Sequence, residues 1–362
     1  MFLHRRENWT EFTWDNSRIL NKLANLRNLQ GRLLGRMESL GFELREEAVL
    51  STITMDVLKS NEIEGEVLDM HEVRSSIARR LGMEVSGMVD SARYVDGVVE
   101  MMLDATQYYS KPISKERILG WHAALFPTGY SGPYKIEVAQ YRSGDMQVVS
   151  GAMGRERVHY IAVESDRVEK EMEAFLEWFN RENDIDPVLK AGISHFWFIT
   201  IHPFDDGNGR IARAITDLQL ARSDRSPQRF YSMSSQILME RKDYYKILEK
   251  TQRGRGDITE WLEWFIQCLE RALTSSEEAL ESVLNKARFW DKHNHTPMNE
   301  RQRLMLNKLF DGFRGKLTSS KWAKINKCSQ DTAIRDIQDL ISKDILQKEG
   351  SGGRSTNYEL KE

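Results

Sequence analysis

Apolar residues recur at helical spacing along nearly the whole chain. In NSRILNKLANLRNLQGRLLGRMESL (16–40) leucines stand at 20, 23, 26, 29, 33 and 34, one stripe of a helix that ends at Gly41. LREEAVLSTITMDVLKS (44–60) predicts a second helix, stopped by the polar turn NEIEGE, and MHEVRSSIARRLG (70–82) predicts a third. Two more are predicted over 88–106 and 114–126. The texture then changes to glycines and short β-branched runs between 132 and 163, which predicts a hairpin with strands near 146–149 and 157–162. Helices resume over 165–183, with Ser165 as the N-cap, over 187–201, from Gly209 onward, over 239–252 and from Asp257 to about 290. KHNHTPMNE (292–300) breaks the pattern and marks a domain boundary. Beyond it the chain reads helix, helix, helix and two short strands around a glycine turn. The fold class is mainly α.

Composition narrows the class without naming a function. The 362 residues are 40% hydrophobic and 30% charged, enough for two or three globular domains. Net charge is −3, but the last 66 residues hold 13 Lys and Arg against 9 Asp and Glu, a local +4. Cys268 and Cys328 alone cannot make a disulfide framework or a cysteine-rich zinc site. The N-terminus lacks the apolar core of a signal peptide, and no apolar run nears the roughly 18 residues of a membrane span. A cytoplasmic location with no membrane partner is expected.

Chemistry concentrates in ITIHPFDDGNGRIAR (199–213). Pro203 discourages His202 from continuing the preceding helix, so the imidazole sits at a helix end facing a loop. Imidazole titrates near neutrality and serves as a general base. Phe204 anchors the loop in the core. Asp205 and Asp206 supply the oxygen ligands that Mg²⁺ takes beside phosphate. Gly207, Asn208 and Gly209 let backbone N–H groups approach a ligand, and they lead into a helix whose N-terminus attracts anions. Arg210 and Arg213, three residues apart, lie on one side of that helix and can both pair with phosphate oxygens. An EF-hand loop is excluded, because no glutamate falls at its twelfth position. A base, a metal ligand, an anion nest and two phosphate forks describe transfer of a phosphorus group to a hydroxyl.

HPFDDGNGR followed by IAR resembles the signature of Fic-domain proteins, His-x-Phe-x-(Asp/Glu)-Gly-Asn-Gly-Arg-x-x-Arg, without departure. The resemblance implies a helical Fic core over 107–295 that transfers AMP from ATP to a Ser, Thr or Tyr hydroxyl of a protein. It implies that His202 deprotonates the acceptor and that Asp206 holds Mg²⁺ against the phosphates. Gly207, Asn208 and Gly209 would form the anion hole, Arg210 would contact phosphate, and Arg213 would clasp the γ-phosphate. The hairpin resembles the Fic flap, which docks a target protein by strand addition, with Ser150 and Gly151 near the nucleotide. DYYKILEKTQ resembles the adenine-side helix, with Tyr244 and Tyr245 beside the ring and Gln252 at its end. SNEIEGE resembles the inhibitory motif (Ser/Thr)-x-x-x-Glu-(Gly/Asn), matched by Ser60, Glu64 and Gly65. Together with the preceding helices, it implies a bacterial Fic subfamily whose N-terminal helical extension, residues 1–106, carries the restraint at 60–65. Removal of AMP, with Glu64 aligning a water, is the reverse reaction of the same site. Homodimers are expected from the resemblance.

SSKWAKINKCSQDTAIRDIQDLISKDILQKEGSGGRSTNYEL, within 296–362, resembles a winged helix-turn-helix. Ser329 would cap its third helix, and Ile334, Ile337, Leu340 and Ile341 would face the core. Gln330, Thr332 and Arg335 would point outward toward base edges, with Arg354 in the wing. DNA is therefore a candidate partner, and an ATP-sensing DNA-binding regulator is the alternative to an enzyme.

Overall fold

The computed structural model describes residues 2–83, 87–150, 157–310, 313, 315–349 and 356–361. Its chain divides into two compact units, Met1–Glu277 and Glu278–Glu362. The division falls inside the long helix α11 (Thr259–Lys292) rather than at the pattern break near 296. The N-terminal helices belong to the same compact unit as the signature motif.

The first unit begins with a short 3₁₀ turn, Leu3–Arg5, followed by α1 (Asn16–Glu38), α2 (Phe42–Ile63), α3 (Met70–Leu81), α4 (Arg93–Gln107) and α5 (Lys115–Leu125). Asp15 caps α1 by accepting from Ser17 N–H, and Asp69 caps α3 by accepting from His71 and Glu72 N–H. The expected stop of α2 at residue 60 is corrected. The helix continues through Ser60 to Ile63, because Asn61 is buried and its amide donates to the Val57 carbonyl instead of opening a turn. Gly65, at φ +90°, then reverses the chain.

Two hairpins follow. The pair β1 (Tyr130–Ser131) and β2 (Tyr134–Lys135) had no pattern to predict it. The longer hairpin pairs β3 (Gln147–Ser150) with β4 (Arg157–Ile161) antiparallel, with an irregularity between Val148 and Val149. Ser165 does not cap the next helix. It opens a 3₁₀ turn, Ser165–Arg167, ahead of α6 (Val168–Asn180), and Asp145 accepts its N–H.

Helix α7 (Pro187–Ile201) is buried over its whole length after Pro187, which explains its unbroken apolar run. Asp186 caps it and Pro187 fills its first turn. Helix α8 (Asn208–Asp224) packs along α7, and α4 and α2 pack on α8. The short α9 (Met233–Met239), absent from the sequence pattern, packs on α2 ahead of α10 (Arg241–Gln252). The N-terminal segment closes the other side: Phe12 rings meet Phe196 and Trp197, and Thr13 bridges to Asp257.

The second unit contains α12 (Glu300–Phe310), α13 (Ser319–Asn326), α14 (Gln330–Ser342), and the antiparallel pair β5 (Leu346–Lys348) and β6 (Tyr358–Leu360). Ser329 caps α14 by accepting from Thr332 N–H. Ile337 and Leu340 are in the core with Trp322, and Ile341 packs on its margin. Ala333, not Ile334, takes the remaining core position, and Ile334 is half-buried. Arg354 lies outside the described residues. Among the described residues no helix is long and apolar enough to cross a membrane.

Three buried histidines make stability pH-dependent. Burial holds His4 and His122 down to about 4 and His195 down to about 3, against an ordinary value of 6.5. Below 6.5 the unfolded chain takes up protons that the folded chain refuses until about pH 4. Stability should therefore fall as pH drops through this window, by up to about 1.4 kcal/mol per pH unit for each histidine. Urea midpoints at pH 7 and pH 5 measure it, and His195→Gln should flatten the slope.

Candidate active site

The site is built where α7 ends and α8 begins. His202 ends α7 in the left-handed conformation, φ 55° and ψ 60°, with Pro203 forbidding another turn. Its Nδ1 lies 3.3 Å from the Ile199 carbonyl, an arrangement in which Nδ1–H donates and Nε2 keeps its lone pair. Burial lowers its pKa to about 4, so the ring is neutral at pH 7. A half-buried neutral imidazole with a free Nε2 is equipped to accept a proton.

The loop that follows is held by its own side chains. Asn208 Oδ1 accepts from Phe204 N–H at 3.0 Å, and its Nδ2 donates to the Phe204 carbonyl at 2.7 Å. Phe204 is buried and stacks on His122, ring centroids 4.1 Å apart. Ala139 N–H donates to His122 Nδ1, so His122 Nε2 carries the hydrogen and donates to the Asp206 carbonyl at 3.2 Å. Gly207 at φ +82° begins the helix, and a Cβ there would lie 2.9 Å from the Phe126 ring. The first N–H groups of α8 then point into the loop without intrahelical acceptors, which leaves a positive helix end.

The two aspartates separate. Asp205 is turned back into the fold, where Oδ2 accepts from Glu137 N–H at 2.9 Å. Asp206 stands at the loop with its side chain 41% exposed and 3.8 Å from Arg210. Oδ1 accepts from Gly207 N–H and Oδ2 from the Ser131 hydroxyl. Among the described residues no group of three or more His, Cys, Asp or Glu could hold a metal. A single half-exposed carboxylate fits a Mg²⁺ that takes its other ligands from phosphates and water.

Both arginines are buried and both meet carboxylates from the end of α2. Arg213 Nη2 donates to Glu64 Oε1 and to the Ser60 carbonyl, at 2.7 and 2.8 Å, and its Nε donates to Ser60 Oγ at 2.8 Å. Glu64 also covers the start of α8: a Cβ built on Gly209 would lie 2.1 Å from its Oε1. The carboxylate thus occupies the positive helix end and the guanidinium together. Arg210 Nη1 donates to Glu66 Oε2 at 2.7 Å and lies over the Phe126 ring. Glu66 carries no motif in the sequence, although the EGE string holds a second acid two residues on. Among the described residues, Arg213 Nη1 and Arg210 Nε are buried without an acceptor.

Of the remaining predicted residues, Tyr244 and Tyr245 stand close enough to Arg213 and Glu64 to feel their charges. Tyr245 is 41% exposed and its ring neighbours Tyr244, which is buried with its hydroxyl 2.8 Å from His195. Gln252 is buried and donates to Thr200 at 3.4 Å. Strand β4 is tied to α10, where Glu249 receives Arg157 and His159. Ser150 lies at the end of β3, its side chain outside the described set, and Gly151 lies outside the described residues.

Residues 112–220 match the model of the Fic/DOC family. They form a Fic/DOC domain. Residues 2–83, ahead of the Fic domain, match a domain of unknown function, DUF4172. The protein adenylyltransferase Fic of Nematostella vectensis is 25% identical over 241 residues, 63% of this chain and 49% of that one. The chain therefore spans about half the length of this relative. A Fic domain containing signaling protein from Bacteroides thetaiotaomicron shares the fold at TM-score 0.53 and 22% identity, over 71% of this chain and 97% of that one. A Fic family protein from Desulfovibrio desulfuricans does so at TM-score 0.50 and 22% identity, over 94% of this chain and 95% of that one.

Asn208→Ala should unpair the buried N–H and carbonyl of Phe204. Leaving both unsatisfied costs about 2–4 kcal/mol, and the urea midpoint should fall accordingly. Asp205→Ala should cost less.

Proposed function

We propose that this protein transfers AMP from ATP to a Ser, Thr or Tyr hydroxyl of a protein, itself included, and that Glu64 restrains the transfer. The observation that carries the reading is the seat of the Glu64 carboxylate: 2.7 Å from Arg213 and over Gly209, where a phosphate would make the same contacts. His202 Nε2 takes the acceptor proton, the acceptor oxygen bonds to the α-phosphorus, and pyrophosphate leaves. Mg²⁺, when bound at Asp206, neutralises phosphate charge. The start of α8 and Arg210 bind phosphate, and Arg213 receives the γ-phosphate once Glu64 is gone. Tyr245 and the Gln252 end of α10 border the adenine. The target segment pairs with the β3–β4 hairpin: β4 is fastened to α10 by Glu249, and among the described residues β3 has no second strand beside it.

While Glu64 holds Arg213, the γ-phosphate of ATP is displaced and the α-phosphate is misaligned for in-line attack. Misplacement by about 1 Å costs on the order of a hundredfold in rate. Glu66 on Arg210 adds a second restraint from the same turn.

Self-modification with α-labelled ATP tests the reading. Glu64→Gly should label on the order of a hundredfold faster than the unsubstituted protein, and ATP should raise its melting temperature more. Arg213→Ala should not mimic it, because the γ-phosphate loses the same partner. In the Glu64→Gly background, His202→Ala should lose about a hundred- to ten-thousand-fold in rate, and Asp206→Ala should lose far more than Asp205→Ala. No gain in Glu64→Gly would reduce the Glu64 contact to a structural ion pair. Release of AMP from labelled protein, in place of gain, would mean the reverse reaction.

For the second unit we propose DNA as the partner, on the local +4 charge and the exposed Arg335 near the start of α14. Arg335→Ala should weaken binding to duplex DNA, and affinity should fall steeply with salt. No shift at low salt would leave a protein-binding unit.

A further inference from the structure

Arg142 lies between β2 and β3, is 2% exposed, and among the described residues pairs with no carboxylate. Asp145, Asp205 and Glu164 act on its charge only from beyond ion-pair distance, so desolvation of the cation must be offset by well-placed acceptors for its fixed donors. Its three acceptors are backbone carbonyls from three places. Nε donates to His202 O at 2.8 Å and Nη1 to Gly144 O at 2.7 Å, while Nη2 donates to Val163 O. Its own N–H donates to Pro203 O at 2.9 Å.

Gly144 stands three residues before β3 and Val163 two residues after β4, so these are the two feet of the hairpin. The feet are joined to each other by Ala162 N–H on the Met146 carbonyl. His202 and Pro203 are the start of the signature loop. The His202 backbone is left-handed, a conformation that is strained for a non-glycine residue and persists only where neighbours hold it. One planar guanidinium therefore grips both feet of the hairpin and the backbone of the proposed base. Arginine suits this task because its donors point in fixed directions, whereas an ammonium would reach fewer of the carbonyls.

We infer that Arg142 is a positioning residue, setting the distance and angle between an acceptor segment paired with the hairpin and the His202 imidazole. The inference rests on the reading of His202 as the base. It assigns Arg142 no contact with nucleotide, since its guanidinium donors are taken up by backbone carbonyls.

The charge of Arg142 also faces the imidazole. It lowers the His202 pKa, while Glu64 and Asp206 raise it and burial exceeds all three. Removing the Arg142 charge therefore moves His202 toward its ordinary value, as would hydration of the ring, so the titration reports whether Arg142 sets the His202 surroundings and the ATP-affinity and rate comparison in Arg142→Lys reports positioning.

The test uses the full chain carrying Glu64→Gly, with Arg142→Lys and Arg142→Met added separately. Arg142→Lys should bind ATP within about twofold of its parent, yet transfer AMP on the order of a hundredfold more slowly at saturating ATP. Arg142→Met, followed by NMR of labelled imidazole, should show His202 titrating at higher pH than in the parent. If Arg142→Met does not fold, Arg142→Lys decides alone. Transfer at the parental rate by Arg142→Lys, ATP affinity falling in step with rate, or an unmoved His202 titration in folded Arg142→Met would each overturn the inference. If the Glu64→Gly parent transfers no AMP, the functional reading has failed, and the titration still judges whether Arg142 sets the His202 environment.

Discussion

Arg213 is a cation buried in the middle of the helical core, and the end of α2 is arranged around its charge. A guanidinium left unpaired there would cost several kcal/mol. Helix α2 supplies a hydroxyl and a carbonyl from Ser60 and a carboxylate from Glu64, all on one arginine. This is why α2 must run past residue 60 and then stop abruptly at Gly65: one more or fewer helical residue would carry the carboxylate away from the guanidinium. A phosphate could replace Glu64 without leaving the cation bare, and the proposed restraint depends on that exchange.

The same contact is supported from below. One turn before Ser60, Asp56 receives Ser232 Oγ and Ser234 N–H, joining α2 to the start of α9. One turn after Arg213, Asp217 receives Arg229 at 2.8 Å. Burial and the neighbouring Asp56 push the Asp217 carboxyl well above the usual range. The α2–α8 contact is thus polar at two successive levels, and its register follows from hydrogen bonds rather than from packing alone.

Around the loop, side chains from distant elements fix backbone that local preference would not choose. Asn208 ties the loop to itself, His122 reaches its Asp206 carbonyl, Ser131 its Asp206 carboxylate, and Arg142 its His202 carbonyl. The result is a preorganised cradle in which the imidazole, the helix end and two guanidinium groups hold their places before any ligand arrives.

The sequence by itself determined the long helices, though not α9 or the end of α2, because their apolar stripes repeat at 3.6 residues, and the chemistry of 202–213, because the residue types and spacing there are contiguous. Only resemblance singles out Ser60 and Glu64, and their contacts with Arg213 are made by the fold. The sequence was silent on Glu66, Ser131, His122 and Arg142, which lie 60 to 144 residues from the groups they hold and carry no periodicity that links them. Only the resemblance distinguished Asp206 from Asp205, and nothing distinguished Tyr244 from Tyr245, since adjacent residues of one type differ only in which way the backbone turns them. Those choices belong to the tertiary structure: a buried donor or acceptor takes the partner that the packing of other elements brings within about 3 Å, and that partner can come from any point on the chain.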